Sequence, residues 1–215
     1  MIRLCAVSSL VLFMLFPCLA SAQAPDDSNN SVHVGDQWTY DTKDEITGTV
    51  SRTYTATVSE ITPKEISTHL TFRGSNGTGL VVFDHEWNRI KNGNLEYKPH
   101  DANGVQFPLV VGKEWHLQFF TSNTKAGANF KTTDLSKVVA QETVTTPVGT
   151  FDVFRIERQV TEFNTADPSR STEAQVTLLY APQINHWVRR TILTKLQKRL
   201  RSQETDELVE VSLKR

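Results

Sequence analysis

The chain has 215 residues, of which 38% are hydrophobic and 22% charged; 23 basic and 24 acidic side chains give a formal net charge of −1. This near-neutral balance gives no electrostatic case for nucleic acid as a partner, which calls for a basic excess. The length suits one domain with a real core, or at most two small ones.

Met1-Ile2-Arg3 carries one positive charge, an apolar run follows from Leu4 to Leu19, and Ala20-Ser21-Ala22 ends in small residues. Residues 1–22 therefore read as a secretory signal peptide, and a periplasmic or secreted location is expected. The apolar run is short of the roughly 20 residues a spanning helix needs, and Pro17 interrupts it. An integral membrane protein is thus not expected. Lipidation at Cys18 is disfavoured because Phe16-Pro17 stand where small residues are required. Cys5 and Cys18 both fall in the signal, so the working chain has no disulfide and no thiol for catalysis or metal binding. Residues 23–31 are polar and read as a disordered leader; residues 32–215 read as a single domain.

Period-two alternation dominates that domain. Trp38 and Tyr40 share one face, and Val50, Tyr54, Ala56 and Val58 alternate with Ser51, Thr53, Thr55, Thr57 and Ser59. Ile66, Thr68, Leu70 and Phe72 form the next stripe, followed by Val81, Phe83, His85 and Trp87 on a strand read through to Trp87. Trp115, Leu117 and Phe119 follow, then Phe154, Ile156 and Val160 opposite Arg155, Glu157 and Gln159. Thr172 to Tyr180 and Val209 to Leu213 continue the pattern. Asn76-Gly77 and Asn92-Gly93 read as tight type I′ turns, and Thr146-Pro147-Val148-Gly149 as a turn closing on a bulge.

Residues 188–200 are ambiguous, because Val188, Ile192, Leu196 and Leu200 fit a helical stripe as well as one face of a strand. Strand is favoured by β-branched Thr191-Ile192 and by a following segment able to pair back. Val34-Gly35-Asp36-Gln37-Trp38 and Val111-Gly112-Lys113-Glu114-Trp115 repeat a Val-Gly-x-x-Trp motif at two strand entries. The fold class expected is all-β, a single curved antiparallel sheet or open barrel, mostly meander, with few or no helices.

Chemistry-bearing motifs are few. The sequence has no Gly-x-Ser-x-Gly elbow, no His-x-His and no His-Glu-x-x-His, so neither a catalytic set nor a metal site is assigned and no cofactor is implied. His85 shares an apolar face and reads as core; His33 and His100 read as surface residues. The glycine-rich Arg73–Gly79 stretch joins two strands and lacks the helix a phosphate cradle needs. The basic stretch with Arg189, Arg190 and Lys195 is able to contact lipid headgroups or an acidic partner, or to pair across strands with Glu204, Asp206, Glu207 and Glu210. Trp38, Tyr40, Trp87, Trp115, Phe119 and Tyr180 are the ligand-binding candidates, since large aromatics either fill a barrel or line its cavity.

Four motifs in order carry a resemblance. Val34–Tyr40, Phe107–Trp115, Val144–Phe151, and Tyr180-Ala181-Pro182 followed by Trp187-Val188-Arg189-Arg190 are similar to the landmarks of an exported bacterial β-rich family of unknown function. That resemblance implies a periplasmic, strongly curved antiparallel sheet, distantly like the half-barrel of lipoprotein-localisation carriers, and brings no catalytic residues. The function expected is non-enzymatic binding or chaperone-like work, holding an apolar ligand such as a lipid on the concave face. The alternative is an envelope interaction or assembly factor that uses the basic strand or a sheet edge. A hydrolase assembled from scattered residues, around His85 or His116, is the third reading.

Overall fold

The structure, a computed structural model, describes residues 31–99 and 104–214. The signal peptide, the leader up to Asn30 and the His100-Asp101 pair lie outside the described residues.

Twelve antiparallel strands run in chain order: β1 (Gln37–Asp44), β2 (Val50–Ile61), β3 (Ile66–Phe72), β4 (Thr78–Phe83), β5 (Arg89–Asn92), β6 (Leu95–Lys98), β7 (Glu114–Asn123), β8 (Ala128–Thr146), β9 (Gly149–Asn164), β10 (Ser171–Ala181), β11 (His186–Leu196) and β12 (Arg199–Ser212). Each strand pairs with its neighbours in sequence, and β12 returns to β1, so the all-β meander closes into a barrel. The closing register runs from Gln37 opposite Ser212 to Asp44 opposite Glu204, with a bulge after Thr39. Closure removes the free edges that an open sheet would expose.

Alternation places the expected apolar faces inside. Trp38, Tyr40, Val58, Ile66, Ile156 and Val188 are buried, and Thr39 and Asp41 on β1 face Thr55 and Thr53 across the outer side of the sheet. Along each strand the inward residues grade from packed to accessible: Ile66 and Thr68 are buried where Leu70 and Phe72 are partly exposed, and Ile156 and Arg158 are buried where Val160 and Glu162 are partly exposed. One end of the barrel is therefore filled and the other wetter. The filled end carries the connections 62–65, 84–88 and 182–185 and the segment 104–113, where Val105 and Ile184 join the core and Phe107 packs against it.

The two Val-Gly-x-x-Trp segments build the same entry turn. Gly35 and Gly112 have φ of 92° and 93°, which a side chain would strain. Each glycine N–H donates 2.8 Å to an inward valine, Val58 or Val138, and each of those valines lies beside a register shift. Residues 188–200 are strand: β11 and β12 join through Gln197-Lys198, both with positive φ, in a two-residue turn of the I′ kind.

Two local readings are corrected. The strand through Trp87 stops at Phe83, because Asp84 Oδ1 accepts from the N–H groups of Glu86 and Asn88 (2.9 Å each) and closes a turn over 84–88. His85 is consequently exposed, with Nε2 2.9 Å from the Thr62 carbonyl oxygen, and is not core. Second, Asn76-Gly77 is not the positive-φ pair; Gly74 takes φ 75° instead, and at the next hairpin Gly93 takes φ 57° with Asn92 still in β5.

The core holds an enclosed ion pair. Arg158 (β9) and Asp134 (β8) are 5% and 0% exposed and bonded to each other, and Ser136 Oγ donates 2.9 Å to the same carboxylate. Removing one partner of such a pair strands a charge and costs about 3–5 kcal/mol, whereas exchanging both for apolar groups is often neutral. Asp134→Leu is expected to cost that amount in urea unfolding and Asp134→Leu with Arg158→Met markedly less. Equal losses would show that the pair is not the coupled unit.

His186 supplies a pH dependence. Its ring stacks on Trp38 at 4.4 Å, packs against Trp187 and meets Trp87 edge-on. Burial first, and then the nearby Arg190 charge, hold its pKa well below the ordinary 6.5. The folded state thus keeps His186 neutral while the unfolded chain takes a proton below about pH 6.5. Stability from this residue is complete above that pH and falls as pH drops toward the folded value, with a limiting slope of about 1.4 kcal/mol per pH unit. Thermal melts between pH 7 and pH 5 are expected to show a shallower decline for His186→Asn than for the native chain; parallel declines would discount the residue.

Candidate functional site

The site lies inside the barrel and is set up by the 84–88 turn. Asn88 Nδ2 donates 2.9 Å to Asp84 Oδ2, which holds the turn closed, and Trp87 takes φ 59°, an uncommon value for a bulky residue. Its indole thereby turns inward, edge-on to Phe83 (5.3 Å) and Trp38 (5.8 Å). The chain then re-enters the sheet with Arg89 opposite Phe83, after a register shift that puts both on the interior wall.

A cavity of about 250 Å³ opens here, lined by Tyr40, Tyr54, Leu70, Phe72, Phe83 and Trp187 with Arg52, Arg89 and Arg190. A smaller one of about 70 Å³ is lined by Trp87, Val105, Leu178, Tyr180 and Ile192 with Arg158. Phe83, Arg89, Trp187 and Arg190 line both.

The charges on this wall are placed by strand alternation. Asp206 (β12) accepts from Thr42 Oγ1 at 2.6 Å, from the Tyr54 hydroxyl at 3.2 Å and from Arg190 Nη2 at 2.6 Å. The Arg190 guanidinium also lies 4.9 Å over the Trp187 ring, and its buried Nε has no hydrogen-bond partner. Arg52 pairs with Glu204 at 3.6 Å and donates to Thr42. Arg89 keeps only part of its surface in water. Burial lowers its pKa, the nearby Tyr97 opposes that, and the Arg190 and Arg158 charges add to the lowering. Burial likewise raises the Tyr54 phenol, and raises Tyr40 well above its ordinary value. Both stay protonated; the Tyr40 hydroxyl donates 2.8 Å to the Trp187 carbonyl oxygen and shares a short hydrogen bond with His186.

All six aromatic candidates are interior, at 7% exposure or less. Tyr40 lines the larger cavity, and Trp87 and Tyr180 the smaller. Trp38 packs behind them, donating from Nε1 to the Ile184 carbonyl oxygen at 3.2 Å. Trp115 and Phe119 stand on the β7 wall, Phe119 against Tyr97. The basic trio is divided: Arg190 points inward to Asp206, while Arg189 bonds Glu207 on the outer face and Lys195 shares that face by register.

Sequence reading did not single out Arg89, Arg158, Asp134 or His186. Alternation already set Arg158 between Ile156 and Val160 on the apolar stripe, which was the available signal. Arg89 was hidden by reading one strand through the turn. For hydrolytic chemistry the geometry offers little: His85 is in an exposed turn, and His116 is exposed on the outer face of β7. Among the described residues no three His, Cys, Asp or Glu side chains group to hold a metal, and no helix is long and apolar enough to cross a membrane.

No family model matches the chain, and no curated protein matches it significantly. Solved structures do resemble it. One is a predicted lipoprotein of Parabacteroides distasonis, with a TM-score of 0.55 and 16% identity over 85% of this chain and 97% of that one. Another is a predicted exported protein of Bacteroides fragilis described as having a YmcC-like fold, with a TM-score of 0.53 and 16% identity over 85% of this chain and 98% of that one. At these identities the likeness shows a shared fold.

Proposed function

We propose that the chain is a non-enzymatic protein of the bacterial envelope that holds a small apolar ligand, lipid-like in its body, inside the barrel. The observation that carries this reading is the cavity of about 250 Å³ inside the barrel, walled by Tyr40, Tyr54, Leu70, Phe72 and Trp187. Ligand sites typically measure about 300–1,000 Å³, so the space suits one short chain better than a multi-acyl lipid. Envelope location rests on the signal-like residues 1–22 and agrees with the exported and lipoprotein descriptions of the similar structures. On the outer face of β8 the exposed Leu135 stands among Lys131, Thr133 and Lys137, a mixed stripe where a lipid-spanning strand would carry an apolar band.

The assembly-factor alternative has less support. Closure leaves no sheet edge for strand addition, and Arg189 and Arg190 are already paired with Glu207 and Asp206.

Native mass spectrometry of gently purified protein, followed by solvent extraction, is expected to release a small apolar molecule. An environment-sensitive fluorescent short-chain lipid is expected to bind, and Ala56→Leu, which grows a side chain into the cavity wall, is expected to weaken it by about tenfold, or about 1.4 kcal/mol. A ligand-free protein that also ignores the probe would overturn the proposal.

A further inference from the structure

Four arginines line the two interior cavities. Arg52 pairs with Glu204, Arg158 with Asp134 and Arg190 with Asp206. Arg89, which lines both cavities, forms no ion pair with any described Asp or Glu. Its neighbours are the Tyr97 hydroxyl and two further guanidiniums. The Arg190 Nε is also a buried donor without a partner on the same wall.

A partly buried cation beside like charges is costly unless an anion meets it. The rest of the barrel shows how this chain meets such costs: every other cavity-lining arginine has its carboxylate. The missing counter-charge therefore points outside the polypeptide. A guanidinium presents parallel N–H donors that fit the two oxygens of a carboxylate or phosphate. One unmatched arginine balances one negative charge, which favours a carboxylate over a phosphate monoester, whose charge at neutral pH is about −1.5 to −2. Leu70, Phe72 and Tyr54 on the same wall supply the apolar flank for a hydrocarbon tail.

We infer that the barrel binds a short single-chain carboxylate amphiphile, its head held at Arg89 and its tail along Tyr54, Leu70 and Phe72. This rests on the reading of the interior as an apolar binding site, and names the head group that site selects. No described acidic side chain lines either cavity, so the cationic part of a zwitterionic head would find no carboxylate there.

The test titrates the full protein with octanoate, octanol and octyl phosphate, following tryptophan emission, because Trp187 lines the cavity. Octanoate is expected to bind at least about tenfold more tightly than octanol. Arg89→Met keeps the stem volume and is expected to erase that preference, leaving octanol binding within about twofold of the native protein. Equal affinities for octanoate and octanol in the native protein would overturn the anion site and leave the apolar site standing. Tighter binding of octyl phosphate would overturn the carboxylate assignment, as would an Arg89→Met variant that keeps the octanoate preference. Binding of none of the three would remove both this inference and the function it rests on. Should Arg89→Met not fold, the native comparison alone decides.

Discussion

Asp206 sits where the last strand meets the first, and its carboxylate gathers Thr42 from β1, Tyr54 from β2 and Arg190 from β11. Four strands are thus tied at the seam by one acidic side chain with its hydrogen-bonding capacity well used. In a low-dielectric interior such a network stabilises only when it is satisfied, and a half-filled one would be worse than an apolar patch. The wall of the larger cavity depends on it, since Tyr54 and Arg190 are both cavity residues. The geometry of the binding space and the closure of the barrel are therefore set by the same contacts.

Much of this architecture was legible in the sequence, because a sheet with one buried face must alternate. Trp38 and Tyr40, Ile66 to Phe72, and Ile156 to Val160 all point where their period places them. Closure was not legible: nothing local in Gln37–Asp44 or Arg199–Ser212 announces that they pair, since that register is a long-range property of strand tilt and curvature. The inner charges were legible only in part. Arg158 stood on an apolar stripe, and a charge there signals a buried partner, but Asp134 becomes that partner through the β8–β9 register. Arg89 escaped because Asp84 ends β4 by hydrogen bonding to the backbone, a competition between side chain and ladder that period counting does not weigh.

The repeated Val-Gly-x-x-Trp motif gains a structural meaning. It opens β1 and β7, the first strands of two six-strand halves, and in each case the next strand shifts register beside the valine that receives the glycine N–H. The 84–88 and 182–185 connections, which carry the positive-φ residues Trp87 and Asn185, then follow β4 and β10, the fourth strand of each half, and each lies beside a further register shift. The halves diverge where the cavity lies: the first supplies Arg52, Arg89 and most of the apolar wall, the second the Arg158–Asp134 and Arg190–Asp206 pairs and His186. A symmetric scaffold has been filled asymmetrically, which is how a near-repeat comes to hold a single site.

The β1–β12 seam joins residues some 160 positions or more apart in the chain, from Asp44 with Glu204 to Gln37 with Ser212. Contacts of such separation carry the largest loop-closure entropy and tend to form late in folding. Tyr40 and Tyr54 already face each other in the β1–β2 hairpin, but Arg190 and Trp187 reach them only across that seam, so the cavity is not complete in a partly formed meander. A molecule that occupies it discriminates between the finished ring and every open precursor, and mass action then makes it a clasp on the last step of assembly.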